Sequence, residues 1–446
     1  MMKKKLLGFS LIAMLAMTGC DNSNGSAYNL SLPKGGEVVD LKVEANRKEL
    51  MQDVTSGLSG MLAAAISKGI SFKTEANMDA QYDVYVENEV RTSMKMTGLK
   101  ETATLDVKAN IGKLTSAEGV EVLKGVEAVA NYKFSGDVNI TEKGYTNSEG
   151  KPEVINTDLK FDKVGAKVEL TEGVIYADLS DRSLLKNGLA NYDEVAELIN
   201  AVGTVRMPTK AELALLLPLD KGQTVDSYLA AEWKKSGLDK IYISIDEINQ
   251  IAEMFDTEEI MSGPVQYNRA SAYSTTGLVD LSGLEETIGV LANIEGALEY
   301  KVYKNETAGL KISLDTRKLA ECSMLAEYID NFGTMEGFKM TAQDYAAFNE
   351  TFGKFDLEAV VLFDDVSRIT SLTMSIDANV TSYDSYYDSV TNTEVKEKDN
   401  TTIVKGKSKI TANYDGMKKT PAKEHKDYVS VMSFVEEYED LLEPAK

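Results

Sequence analysis

The sequence predicts an α+β protein: a large, curved antiparallel β-sheet, laid out as a meander, with amphipathic helices packed on one face. Three observations carry this. Long segments alternate apolar and polar residues with period two, the signature of a strand with one buried face. Links between successive segments of this kind are short, so neighbours run antiparallel. Stretches with apolar residues at helical spacing stand among them and supply the cover that a one-faced sheet requires.

The first candidate helix is RKELMQDVTSGLSGMLAAAISKG, where Leu50, Val54, Leu58, Met61, Ala65 and Ile66 form one stripe and Gly69 suits the C-terminus. From Ile70 the period changes to two. Ile70, Phe72, Thr74, Ala76 and Met78 alternate with polar neighbours, as do Ala103, Leu105, Val107 and Ala109. In VEAVANYKFSGDVNI, residues Val126, Ala128, Ala130, Tyr132, Phe134, Val138 and Ile140 all fall on even positions, which predicts a long strand. GYTNSEGKPE reads as a hairpin loop, followed by strands over 155–161 and 164–170 and by GVIYADL.

Between 181 and 296 helical patterns dominate. Val195, Leu198, Ile199 and Val202 make a short amphipathic helix, Thr209 and Glu212 are spaced as a capping box, and IDEINQIAEMF and LSGLEETIGVLANI follow. IYISIDE echoes IYADLSD, each a strand running into a helix cap. Helices return over 316–333, where Leu319, Cys322, Ala326, Ile329 and Phe332 share a face, and over 341–352, with Thr341 as N-cap.

Strands resume over 298–314 and from Phe355, with alternation in SLTMSIDANV and SKITANY. The polar stretch between these two reads as a long hairpin excursion. Tyr428, Val431, Met432, Val435, Tyr438 and Leu442 predict a terminal helix. The chain thus divides into 37–180 (a helix plus antiparallel strands), 181–296 (helix-rich) and 297–446 (strands, long hairpin and terminal helix). The last part can complete the same sheet, and one enlarged unit or two both stay open.

Residues 1–19 stand apart from this pattern. Lys3, Lys4 and Lys5 precede an uncharged run from Leu6 to Met17, then Thr18 and Gly19. A charged start, an apolar stretch too short to span a bilayer and a small-residue end make a targeting signal. The run into Cys20 resembles the lipobox of bacterial lipoproteins, in which the cysteine is acylated and becomes the new N-terminus. That resemblance implies anchoring to a membrane by fatty chains such as palmitate, on the extracytoplasmic face. Asp21 is similar to the inner-membrane retention signal of some Gram-negative lipoproteins. Residues 20–36, polar and rich in Gly and Ser, read as a flexible tether. The competing reading is an ordinary secretory signal with Cys20 as a structural cysteine, but Cys322 lies on an apolar helix face and makes a poor disulfide partner.

Composition narrows the function. A formal charge of -23 repels phosphate backbones and anionic lipid heads, so the sequence predicts no nucleic-acid partner and no electrostatic membrane docking. Membrane contact then falls to the acyl chains. His425 is the single histidine, sits among charges in PAKEHKDYV, and reads as an exposed linker residue. No nucleophile stands at a recognisable spacing from it, and one His without a cysteine cluster makes zinc and haem sites improbable. KGKSKI lacks the first glycine of a phosphate loop, and SEGK at 148–151 lacks the companions of a serine acyl-enzyme. Glu142 stands where a calcium loop opened by Asp137 needs glycine; Asp384, Asp388 and Asp399 read as a solvated acidic loop, with weak cation binding as the alternative.

The sequence therefore predicts a non-enzymatic protein without a cofactor. The order of its elements resembles, in layout, LolA/LppX-like bacterial lipoproteins and lipid carriers, which implies a hollow that holds a lipid or another hydrophobic molecule. Candidate lining residues are Phe72, Tyr132, Phe134, Met374 and Ile376. A dry core made of the same side chains is the competing reading. The alternative function is an interaction lipoprotein that shows its acidic surface and the Tyr-rich hairpin at 382–400 to a protein partner. One prediction follows from the leader: replacing Cys20 with serine abolishes both processing and membrane retention, scored by mass shift and by sedimentation with membranes.

Overall fold

The computed structural model describes residues 30–110, 123–146, 152–180, 183–202, 206–254, 282–334, 336–388 and 393–437; Cys20 and the leader lie outside them. The strands are β1 (Glu37–Val39), β2 (Ile70–Val86), β3 (Glu89–Ala109), β4 (Val126–Thr146), β5 (Pro152–Thr171), β6 (Val174–Asp178), β7 (Lys240–Ser244), β8 (Leu298–Val302), β9 (Ala308–Asp315), β10 (Phe352–Phe363), β11 (Ile369–Asp388), β12 (Thr393–Asn413) and β13 (Val429–Ser430). The helices among the described residues are α1 (Glu44–Ser67), α2 (Ser183–Ala190), α3 (Tyr192–Val202), α4 (Lys210–Leu216), α5 (Val225–Ser236), α6 (Ile245–Met254), α7 (Ser282–Asn293), α8 (Thr316–Phe332), α9 (Ala342–Thr351) and α10 (Val431–Glu437).

All strands join one 13-stranded sheet in the order β1-β8-β9-β10-β11-β12-β2-β3-β4-β5-β6-β7-β13. Every neighbouring pair is antiparallel except β7 with β13. The meander foreseen from Ile70 onward is present, and β12 pairs with β2 to bring both ends of the chain into the same sheet. The curved sheet remains unclosed, because β1 and β13 lie at opposite ends of the order. At about 3.3 Å per residue, strands of this kind reach roughly 70 Å, far beyond the usual length.

The two strands expected over 155–161 and 164–170 are one strand, β5, of 20 residues. Their apparent break is a bulge, where the register slips between Phe134/Val164 and Gly136/Phe161 and Lys163 adopts φ 50°. Slips between Met78 and Ala80 on β2 and between Thr97 and Lys100 on β3 lie beside it. Bulges bend strands and increase their twist, so this row across three neighbours curves the sheet.

Cross-strand partners share a face, and one face is mostly apolar. Helices α1 and α7 cover one end of it, with Leu50, Met51, Ile288 and Ala292 packed on Tyr300, Leu310 and Phe363. Helix α8 places Cys322 and Leu325 against Leu314 and Leu357. Phe332, expected on that stripe, is 66% exposed; it lies in the last turn before the left-handed Gly333 and packs on Tyr328 instead. Both expected caps form: Thr209 with Glu212, and Thr341 with Asp344. The terminal helix starts at Val431, so Tyr428 precedes it; the side chains of Val435, Tyr438 and Leu442 lie outside the described residues.

The expected tether over 20–36 does not extend to residue 36. From Leu30 the chain is packed: its N–H donates to Glu358, its carbonyl accepts from Lys311 Nζ (2.6 Å), and Leu32 is buried in the gap left by Gly309. The polar composition of this stretch hid two leucines spaced for one face. They find an ion pair, Lys311–Glu358 at 2.9 Å, and a glycine notch to dock on.

Beyond the end of β6, strand β5 has no strand neighbour on that side among the described residues, and two asparagines of the α2–α3 region substitute for one. Asn191 accepts from the Lys160 N–H and donates to the Lys160 carbonyl (both 2.8 Å); Asn187 does the same for Asp162 at 2.6 and 2.9 Å. The spacing works because four helical residues rise about 6 Å, close to the advance of two strand residues. Each buried primary amide thus mimics the peptide group of a missing strand. Replacing Asn191 with leucine should cost about 1–3 kcal/mol in urea unfolding, and Asn191→Asp, which sets a carboxylate against the Lys160 carbonyl, should cost no less.

Candidate functional site

At the centre of the apolar face, five strands shape a hollow. Cross-strand pairing lines up Met374, Ser408, Ala76, Glu101 and Phe134 in one row and Ile376, Gly406, Met78 and Leu99 in the next. The large side chains stand toward the ends of the rows and the small ones, Gly406, Ser408 and Ala76, toward the middle. That size gradient makes a trough. Its volume is about 220 Å³, and Tyr132 joins its wall. The floor is tight against the neighbouring strand, since a Cβ on Gly406 would sit 3.1 Å from the Asn77 carbonyl oxygen and 3.2 Å from Met78 Cγ.

The hollow lies where the helix layer gives out. Helix α8 reaches Ile376, and α1 reaches Phe72, Val107 and Ala412 through Ala64, Met61 and Ala65. Leu105 and Tyr132, on the same face of β3 and β4, are each 40% exposed. The bulges at Met78–Ala80, Thr97–Lys100 and Phe134–Gly136 bend the sheet beside the trough.

Four of the residues named from the sequence, Tyr132, Phe134, Met374 and Ile376, come together in this hollow. Phe72 does not: it shares the face but packs beneath α1 beside Tyr414. Gly406 and Ser408 escaped notice because small residues leave no hydrophobic signal. Their even numbering, continuous with Ile410 and Ala412, was the available clue. Glu101 was missed because one carboxylate in a polar–apolar alternation reads as a solvent position.

Glu101 is the acidic residue of the hollow. Among the described residues no hydrogen bond or ion pair reaches its carboxyl, and burial pushes its pKa up with no opposing charge. The same burial, then the nearby Glu101 charge, raises the Tyr132 phenol. Lys407 also borders the hollow, but strand alternation sends its side chain to the opposite face.

A second constellation lies on that opposite face. Ser71, Asp106, Val129, Glu169, Tyr176 and Tyr242 are successive cross-strand partners from β2 to β7. The chain after Tyr414 runs along this row as a strap. Gly416 O accepts from Ser71 Oγ (3.1 Å), the Lys418 N–H donates to Asp106 (2.7 Å) and the Ala422 N–H to Glu169 (2.9 Å).

His425, expected as an exposed linker residue, has its side chain only 8% exposed. Its Nε2 lies 2.7 Å from Glu169, and its ring stacks on Tyr176 at 3.6 Å with Tyr428 edge-on. The correction has a physical cause: adjacent strands place a carboxylate beside a ring, a pairing that local sequence cannot reveal. Its neighbours here are an acid, two tyrosines and the strap itself.

No described residues elsewhere make a reactive centre of recognisable type. Burial pushes the Cys322 thiol up to about 11, which leaves it a core group. Asp399 accepts from Ser382 (3.0 Å) and Asn400 (2.6 Å), and among the described residues no three His, Cys, Asp or Glu side chains gather around a cation position. SEGK lies outside the described residues.

No family model matches the chain, and no curated protein matches it. A crystal structure of a Pseudomonas aeruginosa FadL homologue aligns with 80% of this chain and 92% of its own at 8% identity. The TM-score of 0.16 carries no argument about fold or function.

The strap yields a pH prediction. Burial pushes the Glu169 carboxyl up, but hydrogen bonds from Lys167, the Ala422 N–H and His425 outweigh it and hold the group below its ordinary value of 4.5. A carboxyl depressed in the folded state stabilises above its unfolded pKa and loses that contribution as pH falls through the folded one. The stability gap between the parent chain and Glu169→Gln should be constant from pH 6 to about 4.5 and shrink below it, measured by urea unfolding at each pH.

Proposed function

We propose that this chain is a bacterial lipoprotein, anchored on the extracytoplasmic side of a membrane through Cys20, that binds a hydrophobic molecule and catalyses no reaction. The observation that carries the binding is the hollow of about 220 Å³, set in the apolar face of the sheet where the roof made by α1, α7 and α8 ends. A dry core would be filled, and here small residues leave the space open between Met374, Ile376, Met78, Leu99 and Phe134. Binding sites of this kind are apolar with a few polar groups that orient the ligand.

The anchor rests on the lipobox-like run from Leu6 to Cys20. Among the described residues no helix is long and apolar enough to cross a membrane. Two or three acyl chains on one residue would supply firm attachment, since each buried methylene contributes about 0.8 kcal/mol.

A second reading, an interaction lipoprotein without a ligand, is favoured by one observation. Leu215 and Leu216 at the end of α4 are adjacent and 87% and 73% exposed. Exposed apolar clusters mark surfaces that meet partners.

Organic extraction of the purified full-length chain, followed by mass spectrometry, separates the two readings, because covalent acyl chains stay with the protein. Near-stoichiometric recovery of one apolar species is expected. Ala76→Phe, which fills the half-open floor, should lose that species while keeping the parent circular dichroism. An empty extract from the parent chain overturns the binding reading in favour of the partner surface.

A further inference from the structure

We infer that the molecule held in the hollow is a cationic amphiphile, an apolar chain or ring system bearing an amine, with Glu101 as its counter-charge and the rings of Tyr132 and Phe134 beside it. This deepens the reading of the hollow as an apolar site and rests on it.

Three observations point the same way. Glu101 has Ala76 and Phe134 as its cross-strand partners, one on each side, so its surroundings on this face are apolar. It differs here from several other part-buried carboxylates of the sheet. Asp106 accepts from Lys418, Asp83 from Ser93 and Gln81, Glu358 pairs with Lys311, Asp364 with Arg368 and Asp377 with Lys354, whereas no described residue donates to Glu101. A carboxylate left without a partner in an apolar setting is costly unless a positive group arrives to neutralise it.

The second observation is the pair of aromatic side chains. Tyr132 and Phe134 stand two residues apart on one strand, and both line the hollow. A carboxylate next to aromatic faces is the chemistry that recognises an ammonium group, by charge and by attraction to the ring faces.

The third is the overall charge of -23, which raises the local concentration of cations and repels anions. A fatty carboxylate would have to bring its head group beside Glu101 against like-charge repulsion. An alkylamine meets the opposite field.

The test uses pyrene, a neutral apolar fluorophore, bound to the full-length chain and displaced by dodecylamine or by dodecanoate, both below their micelle concentrations. Dodecylamine should displace pyrene at about one-tenth the concentration that dodecanoate needs, the expected scale for one desolvated charge contact. With displacement referred to each variant's own pyrene affinity, Glu101→Gln should bring the two competitors to within about threefold, and Glu101→Lys should reverse their order. Equal displacement by both competitors in the parent chain, or a preference that survives in Glu101→Gln, overturns the assignment of Glu101 and leaves the apolar site standing. Failure of pyrene to bind the parent chain overturns both.

Discussion

The pairing of β12 with β2 is the constraint on which the rest of the molecule depends. It runs from Asn413 opposite Ser71 to Asn400 opposite Val84, and it joins strands more than 300 residues apart in the chain. Closing so long a loop costs entropy that grows only slowly with its length, so a long ladder offsets it. Without that seam each half of the sheet would present a long, unpaired edge, the feature that sheets most need to hide. The seam also makes the site. Gly406, Ser408 and Ala76 face each other across it, and their small size turns a flat apolar face into a trough.

The opposite face solves a different problem. A long open sheet is free to twist at its ends, and the strap from Gly416 to Ser430 ties the row Ser71, Asp106, Val129, Glu169 and Tyr176 together across the strands. Its hydrogen bonds run from backbone N–H groups to buried carboxylates, which satisfies both partners at once. Glu169 is the node, taking the Ala422 N–H, His425 and Lys167. The histidine packs inside the strap, hydrogen-bonded to Glu169 and stacked on Tyr176.

Apolar coverage on the other face is graded. At the β8–β10 end the helices α1, α7 and α8 bury Leu50, Leu310, Leu325 and Leu357 almost fully. Toward β3 and β4 the cover stops, and Leu105 and Tyr132 keep two-fifths of their surface in solvent. The bulges fall beside this transition, so bending and opening of the sheet coincide with the hollow. The packed core lies at the covered end and the hollow at the uncovered one.

How much of this was legible follows from the range of each interaction. Period-two alternation is local, and it alone determined the strands around Phe72, Tyr132, Met374 and Ile410, the face each shows, and hence four of the hollow's walls. Capping chemistry at Thr209 and Thr341 is equally local and was readable. The resemblance of the run into Cys20 to a lipobox rests on equally local features, since charge, apolar length and the cysteine lie within twenty residues. Only the tertiary structure decided which strands became neighbours across β12 and β2, that Leu30 and Leu32 dock instead of hanging free, that two asparagines complete β5, and that His425 is buried on Glu169. Those outcomes depend on pairs of groups far apart in the chain. A sequence records which groups are available for such pairs, but which of them meet is settled only when the sheet has closed its seam.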